Sequence, residues 1–577
     1  MSRKISRIGP MNEMKGEREM RAFHKVNKSL LLLGILLVSA GLLLTGCGGQ
    51  QNAAEDQQNT APKEKIIRIS ASDVPNIDPG VGVDYSSATA ACNIYSTLVF
   101  PNADGSVRPM LATDWDSSTD GLTWTFNLKQ GVKFHNGDEL TADDVVFSMN
   151  RLLTMGEGFA YLFTDVVKEV KAVEPYKVQF TLKKTFGPFV STLVRLYIVN
   201  QDQVMANLQE GTYGEFKDYG KEWLASNDAG SGPYMVKEIK KQEHLLATKF
   251  PDYFEGWDAD APDTIKIVGT TETATIRTLM STGELEITDQ WQTEEALKAL
   301  DGMPGVGVDA AFTGSILNIM LNTKKAPTDD VHFRKALAYL FDYQTVVDKL
   351  FPGSKKARGP VPFNIPGFND SLPQYERNVD KAKAELAQSK YADKLADYPV
   401  ELVWIAEVPD EEKIALLFQA NAAELGITVD IVKTPWLSFV DQVATKETTP
   451  NAATVFVSPS YNEAGSTLSS RYHSKSTGTW EQAEWLQDAN IDAAIEDAIG
   501  TVDETARMEK YKAIQQTIVD LCPTIWVFDQ AEKRAYQENY ITWPGAEANK
   551  AGQPVNPVMG YNFYFHDYKV FPDKMGQ

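Results

Sequence analysis

The sequence predicts an α/β protein built on mixed sheets, and two segments carry that prediction. The first is a strand–helix–strand unit: strand-like Val400–Ile405, helical Asp410–Leu425 stopped by Gly426, then strand-like Ile427–Val432. Two strands joined through a helix in this way form a parallel pair with a right-handed crossover. The second is Leu122–Leu128, where Leu122, Trp124, Phe126 and Leu128 alternate with polar residues at the period of a half-buried strand. A chain of 577 residues, 43% hydrophobic and 10% aromatic, can bury a large core spread over several structural units.

The elements follow in chain order. Leu30–Leu44 is an apolar run of 15 residues preceded by Arg21, Lys25 and Lys28. A membrane-spanning helix needs about 20 apolar residues, so this run fits the core of a signal peptide. It ends in Leu44-Thr45-Gly46-Cys47, which resembles the bacterial lipobox and marks Cys47 as the expected lipidation site. Residues 1–46 are then a lipoprotein signal peptide, and residues 47–65, rich in Gly, Gln, Asn and Ala, a flexible tether. The folded part begins at the strand-like run Ile66–Ile69, followed by the turn-forming segment Val74–Gly80. After Leu122–Leu128, Gly131 and the pair Asn136 and Gly137 supply turns. Thr141 caps a helix with Asp143 and Asp144 in its first turn and Val145, Met149 and Leu152 on one face. Further helices are expected at Val331–Lys349, Val379–Ser389, Ile491–Ala498 and Ala506–Asp520, and a further strand at Thr454–Val457.

Composition excludes several functions. The net charge of −22 gives no attraction for phosphate backbones, so no nucleic-acid partner is expected. Three cysteines make no disulfide scaffold, and Cys92 and Cys522, each in an apolar helical setting, are expected as unpaired thiols. The six histidines show no i, i+4 pair, and the nucleophile elbow, the phosphate-binding loop and the zinc-protease helix motif are all missing. No enzyme activity, metal site or cofactor is expected.

A family resemblance rests on motifs spread through the chain. Pro109–Trp115, Asp120–Phe126, Lys133–Gly137 and Leu140–Ser148 closely resemble the signature of family 5 extracellular solute-binding proteins, the receptors of ABC importers for peptides, nickel and oligosaccharides. Gly230–Tyr234, Pro251–Phe254, Leu321–Thr323 and Phe333–Ala338 resemble further motifs of that family in the same order. The resemblance implies a two-lobed periplasmic-binding-protein type II fold with an extra domain in the first lobe, three domains in all, and a hinge between the lobes. It implies a first lobe of residues 66–98, 226–317 and 560–577, an extra domain of 99–225, and a second lobe of 318–559. The crossings are expected near Asn318–Asn322 and Met559–Phe563, with Asn318, Asn322 and Tyr561 as hinge residues. His135 would belong to a surface turn. The implied partners are a small solute (a peptide, an oligosaccharide or similar), an ABC permease with its ATPase, and the membrane through the lipid anchor. The protein would act as a monomer on the outer face of the plasma membrane or in the periplasm. A family relative serving as a chaperone-like or signalling receptor without transport is the alternative.

The solute is less legible. In peptide-binding relatives a motif Ala-Asp-Tyr-Asn-Glu-Pro carries an aspartate that pairs with the peptide's α-ammonium. Here Ser458–Ala464 resembles it, and Ser460 falls at the aspartate position. A buried ammonium without a carboxylate is costly. Either the ligand lacks that ammonium or another acid, such as Glu463, receives it. Ser460, Tyr461, Asn462 and Glu463 are therefore candidate ligand-binding residues. Among the tryptophans, Trp404 reads as core and Trp485 as part of a helix face, whereas Trp291, beside Gln290, and Trp436 fall where a cleft is expected.

Overall fold

The computed structural model describes residues 64–575, and they form two lobes. In the first, strand Ile66–Ala71 pairs in parallel with Thr264–Gly269, which runs antiparallel to His244–Lys249, itself antiparallel to Tyr234–Lys240. Ile287 bridges Ile69 on one side and Tyr536 on the other. It thereby links this sheet to the antiparallel pair Gly307–Ala311 and Glu532–Tyr536.

An inserted antiparallel sheet runs in the order Ala112–Ser117, Thr123–Leu128, Lys177–Leu182, Val167–Glu174. The alternation legible in the sequence is realised: Phe126 and Leu128 are buried, and Thr125 and Asn127 are half-buried. Helix Ala142–Met155 covers this sheet with Val145, Met149 and Leu152 buried. The Thr141 N–H donates to Asp144 Oδ2 at 2.9 Å, satisfying a backbone group that the helix leaves free. The insertion shares its core with the first lobe, because Phe126 and Phe180 lie in the same buried cluster as Ile67 and Ile265. His135 is an internal tie and not a surface residue. Its side chain is 7% exposed, with Nδ1 2.7 Å from Asp228 Oδ1 and Nε2 2.9 Å from Gly232 O.

The second lobe is a six-stranded mixed sheet in the order Lys355–Lys356, Thr524–Asp529, Ile316–Leu321, Ala452–Val457, Val400–Ile405, Val429–Thr434. The expected crossover is present: Val400–Ile405 and Val429–Thr434 are parallel, joined through helix Glu411–Ala423. The second of these strands starts two residues later than expected, because the Ile427 N–H still closes the helix end on Ala422 O. Leu317, Ile319 and Leu321 face helices Val331–Leu340 and Glu411–Ala423 in one core. Ile316 and Met320 face separate clusters on the other side, the period-two split of a strand buried on both faces. The helix expected over Val331–Lys349 is broken. Phe341 is extended, and Asp342 accepts a hydrogen bond from the Thr345 N–H at 3.0 Å to start a new turn. Cys92 and Cys522 are buried and unpaired, and burial pushes their thiols up to about 12 and about 11.

The crossings between lobes differ from those the resemblance implied. Strand Gly307–Ala311 pairs inside the first lobe and Ile316–Leu321 inside the second, so the chain crosses at 312–315. It returns between Thr524–Asp529 and Glu532–Tyr536, at 530–531. The Gln530 N–H donates to Ser315 O at 2.8 Å, holding the two crossings side by side. Asn318 is two residues into the central strand of the second lobe and Asn322 just beyond that strand; both are fully buried. Asn318 Oδ1 accepts from Arg471 Nη1 at 2.8 Å, and the Asn322 N–H donates to Asn451 O, so both are internal to that lobe and not at a crossing. The segment from Glu532 onward stays in the first lobe. Ile541–Thr542 pairs with Lys569–Val570, and Tyr561 donates from its hydroxyl to Val194 O at 2.6 Å. The second lobe therefore ends at residue 529 rather than 559.

Candidate functional site

The cleft between the lobes is walled on the first-lobe side by the ends of parallel strands and the segment that follows the return crossing. Arg534 is 1% exposed and lines a small pocket of about 10 Å³ with Ser70, Ser72, Tyr85, Gln290 and Phe563. Its guanidinium is fully used: Nε donates to Glu532 Oε1 at 2.9 Å, Nη1 to Thr288 O at 2.7 Å and Nη2 to Gln290 Oε1 at 2.6 Å. The Phe563 ring lies under it, 4.3 Å from Cζ. Glu532 Oε2 accepts from Thr313 Oγ1 at 3.0 Å, which ties this polar floor to the outgoing crossing. At the rim, burial and then the negative charges of Asp84 and Glu407 raise the Asp73 carboxyl above its ordinary range. Glu407 belongs to the second lobe, so acids from both sides face each other there.

The lobes meet around the loop after strand Ala452–Val457. The Tyr161 hydroxyl from the insertion lies 2.7 Å from Ser460 Oγ, and Arg195 Nε donates to Ser460 O at 2.7 Å. Asn462 Nδ2 donates to Asn102 O at 3.2 Å. Trp291 from the first lobe packs on Phe456 from the second, with centroids 5.5 Å apart. Tyr161 is 50% exposed even though its hydroxyl is engaged.

The candidate residues of the sequence thus divide. Ser460, Asn462 and Trp291 stand at the boundary between lobes, and Gln290 lines the first-lobe pocket. Trp436 is half-buried at the start of helix Trp436–Val443, its ring 5.1 Å from that of Trp480, and its backbone N–H donates to Glu407 Oε2 at 3.0 Å. Tyr461 is 2% exposed and sits inside the core shared with the first lobe. Glu463 is not an open carboxylate. Oε1 and Oε2 accept from Arg507 Nε and Nη2, each at 2.9 Å, and Tyr511 adds a hydrogen bond at 2.6 Å. It cannot receive a ligand ammonium without giving up this buried pair. Trp404 is core, as expected, but Trp485 is on a loop and not a helix face, with φ of 52° and its Nε1 donating to Thr449 Oγ1 at 2.8 Å. Cys47 lies outside the described residues. Among the described residues no three His, Cys, Asp or Glu side chains converge as a metal site would, and no helix is long and apolar enough to cross a membrane.

Sequence reasoning missed Tyr85, Tyr161, Arg195, Glu532 and Arg534. A signal existed for two of them. Arg195 interrupts the apolar run Leu193–Val199, and Arg534 alternates with Glu532 in a strand; a charge on a buried register needs a partner.

Residues 106–479 match the model of the family described as bacterial extracellular solute-binding proteins, family 5. The chain belongs to that family. This family 5 protein is 30% identical over 479 residues to the probable D,D-dipeptide-binding periplasmic protein DdpA of Escherichia coli, an alignment covering 81% of this chain and 89% of DdpA. It is 24% identical to the oligopeptide-binding protein AppA of Bacillus subtilis, with 89% and 95% of the two chains covered. The solved structure of the ABC transporter-associated periplasmic binding protein DppA of Helicobacter pylori, in complex with the peptide STSA, matches with a TM-score of 0.75 at 22% identity, covering 88% of this chain and 98% of that one. The fold is the type II periplasmic-binding-protein fold with an extra domain in the first lobe.

Proposed function

We propose that this family 5 protein captures a solute of the peptide class between its lobes and delivers it to an ABC importer, as a monomeric receptor that performs no chemistry on it. One observation carries the reading. Tyr161, Arg195 and Asn102 of the first lobe meet Ser460 and Asn462 of the second across the lobe boundary, while among the described residues two short crossings, 312–315 and 530–531, join the lobes. Two adjacent crossing segments form a hinge, and a solute touching both walls shifts the population towards the closed form. The dipeptide-binding and oligopeptide-binding relatives DdpA and AppA, and the peptide held by DppA, support peptides as the solute class.

The α-ammonium of a free peptide is not the anchor at Ser460. That position offers a hydroxyl, and the neighbouring Glu463 is already paired. A lipid on Cys47 holds the receptor at the membrane. Cells lacking the protein should lose uptake of labelled short peptides, with recovery on restoring the wild-type chain; unchanged uptake contradicts the import reading. Cys47→Ala should abolish processing and membrane retention in cell fractionation. A variant that is still processed and sediments with the membrane contradicts the anchor.

A further inference from the structure

Six arginines of the described chain are buried: Arg151, Arg195, Arg334, Arg471, Arg507 and Arg534. Four of them face a carboxylate, namely Asp78, Glu484, Glu463 and Glu532. Arg334 has no acid but spends its guanidinium on three backbone carbonyls, those of Cys522, Thr328 and Leu521. Arg195 is the exception. It is 1% exposed, and among the described residues no carboxylate lies within ion-pairing distance of it. Its only close acceptor is Ser460 O; Nη1 reaches the Tyr197 hydroxyl at 3.4 Å, and Nη2 has no partner. The rings of Phe159 and Tyr561 stack against the guanidinium, 4.7 Å and 5.7 Å from Cζ, and hold its plane.

The direction of the free donor follows from the guanidinium itself. Nε–H and one Nη2–H point the same way and form the fork that grips a carboxylate with two parallel bonds. Arg507 uses that edge on Glu463. In Arg195 the Nε half of the edge reaches across the lobe boundary to Ser460 O, so the open Nη2 half faces the same boundary. Ser460, whose carbonyl takes the Nε half, has its hydroxyl 2.7 Å from that of Tyr161. Ser460 of the other lobe covers this edge of Arg195.

Resting on the receptor reading above, we propose that Arg195, with the Ser460 and Tyr161 hydroxyls, receives a carboxylate of the solute, making this end of the cleft its anionic pole. A carboxylate there pairs with the open Nη2 and supplies the counter-charge that the protein omits.

The test compares matched probes on the full chain: N-acetylated di- and tripeptides as free acids and as C-terminal amides, titrated by calorimetry. In the wild type, at least one free acid should bind ten-fold or more tighter than its amide. Arg195→Gln should remove that preference, bringing the acid and its amide to within about three-fold of each other. Arg195→Lys, which keeps the charge but lacks the fork, should retain only part of it. Ser460→Asp supplies the missing acid to Arg195 from within the protein, so it should abolish the preference even if the arginine variants fold poorly. Amides that bind as tightly as acids overturn the anionic pole and leave solute capture intact. If no probe binds in either form, both the pole and the peptide reading fall. A preference that survives Arg195→Gln and Ser460→Asp also overturns the assignment.

Discussion

Glu463→Ala should destabilise the protein by about 3–5 kcal/mol, the cost of leaving one member of a buried ion pair without its partner. The Glu463 and Arg507 side chains are each 6% exposed and joined through two parallel hydrogen bonds, with the Tyr511 hydroxyl as a third donor. Removing the carboxylate leaves the phenol without its acceptor and the guanidinium without its counter-charge, with only the carbonyls of Thr501 and Val502 still accepting from Nη1. The pair also sets the entry to helix Ala464–Tyr472 and so holds the preceding loop, which presents Ser460 and Asn462 to the other lobe. The midpoint of urea unfolding should therefore fall with its slope unchanged. Replacing Arg507 by Met in the same chain should recover much of the loss, because two apolar side chains cost less than one unpaired charge. A single-variant effect below about 1 kcal/mol would place the pair among weak surface bridges and contradict this account.

Stability should decline as pH rises from about 5 to 8, and Glu411→Gln should flatten that decline. Glu411 is 1% exposed, and burial pushes its carboxyl up to about 8 against the partial relief of the Ile405 N–H and the Thr454 hydroxyl. An unfolded glutamate loses its proton near 4.5. Between those two values the folded chain holds a proton that the unfolded chain has released, so folding weakens with increasing pH. The contribution is present in full below the unfolded value and is lost as pH passes through the folded one. The slope is at most about 1.4 kcal/mol per pH unit for one group. Asp529, buried and raised to about 7, adds to the wild-type decline and stays in the variant, so the difference between the two curves isolates Glu411. Urea midpoints measured from pH 5 to 9 give both curves; parallel curves contradict a protonated Glu411.

Local pattern made much of the fold legible. The alternation of Leu122–Leu128, the cap at Thr141 and the unit from Val400 to Thr434 are written in neighbouring residues, where period and capping chemistry act directly. The crossings were not legible, because they depend on Glu532–Tyr536 finding Gly307–Ala311, a pairing between segments more than two hundred residues apart. Family motifs at Leu321–Thr323 drew the boundary into the second lobe, where Asn318 and Asn322 are conspicuous polar residues in an apolar strand region. They serve Arg471 and the backbone at Asn451. The site shows the same limit. Ser460 was visible as a missing carboxylate, but the cation facing it, Arg195, is 265 positions away. Glu463 looked available because nothing local reveals that Arg507 holds both of its oxygens.

The central claim is that one solute of the peptide class is held between the lobes without its α-ammonium being gripped at Ser460. Calorimetric titration of the purified chain with short peptides, free and N-acetylated, tests it most directly. The account predicts binding at one site per chain, with N-acetylation changing the affinity by less than about three-fold, since no ammonium–carboxylate pair is lost at Ser460. Tight binding of free peptides that disappears on N-acetylation would contradict the account at Ser460, and no binding by any peptide, free or blocked, would contradict it altogether.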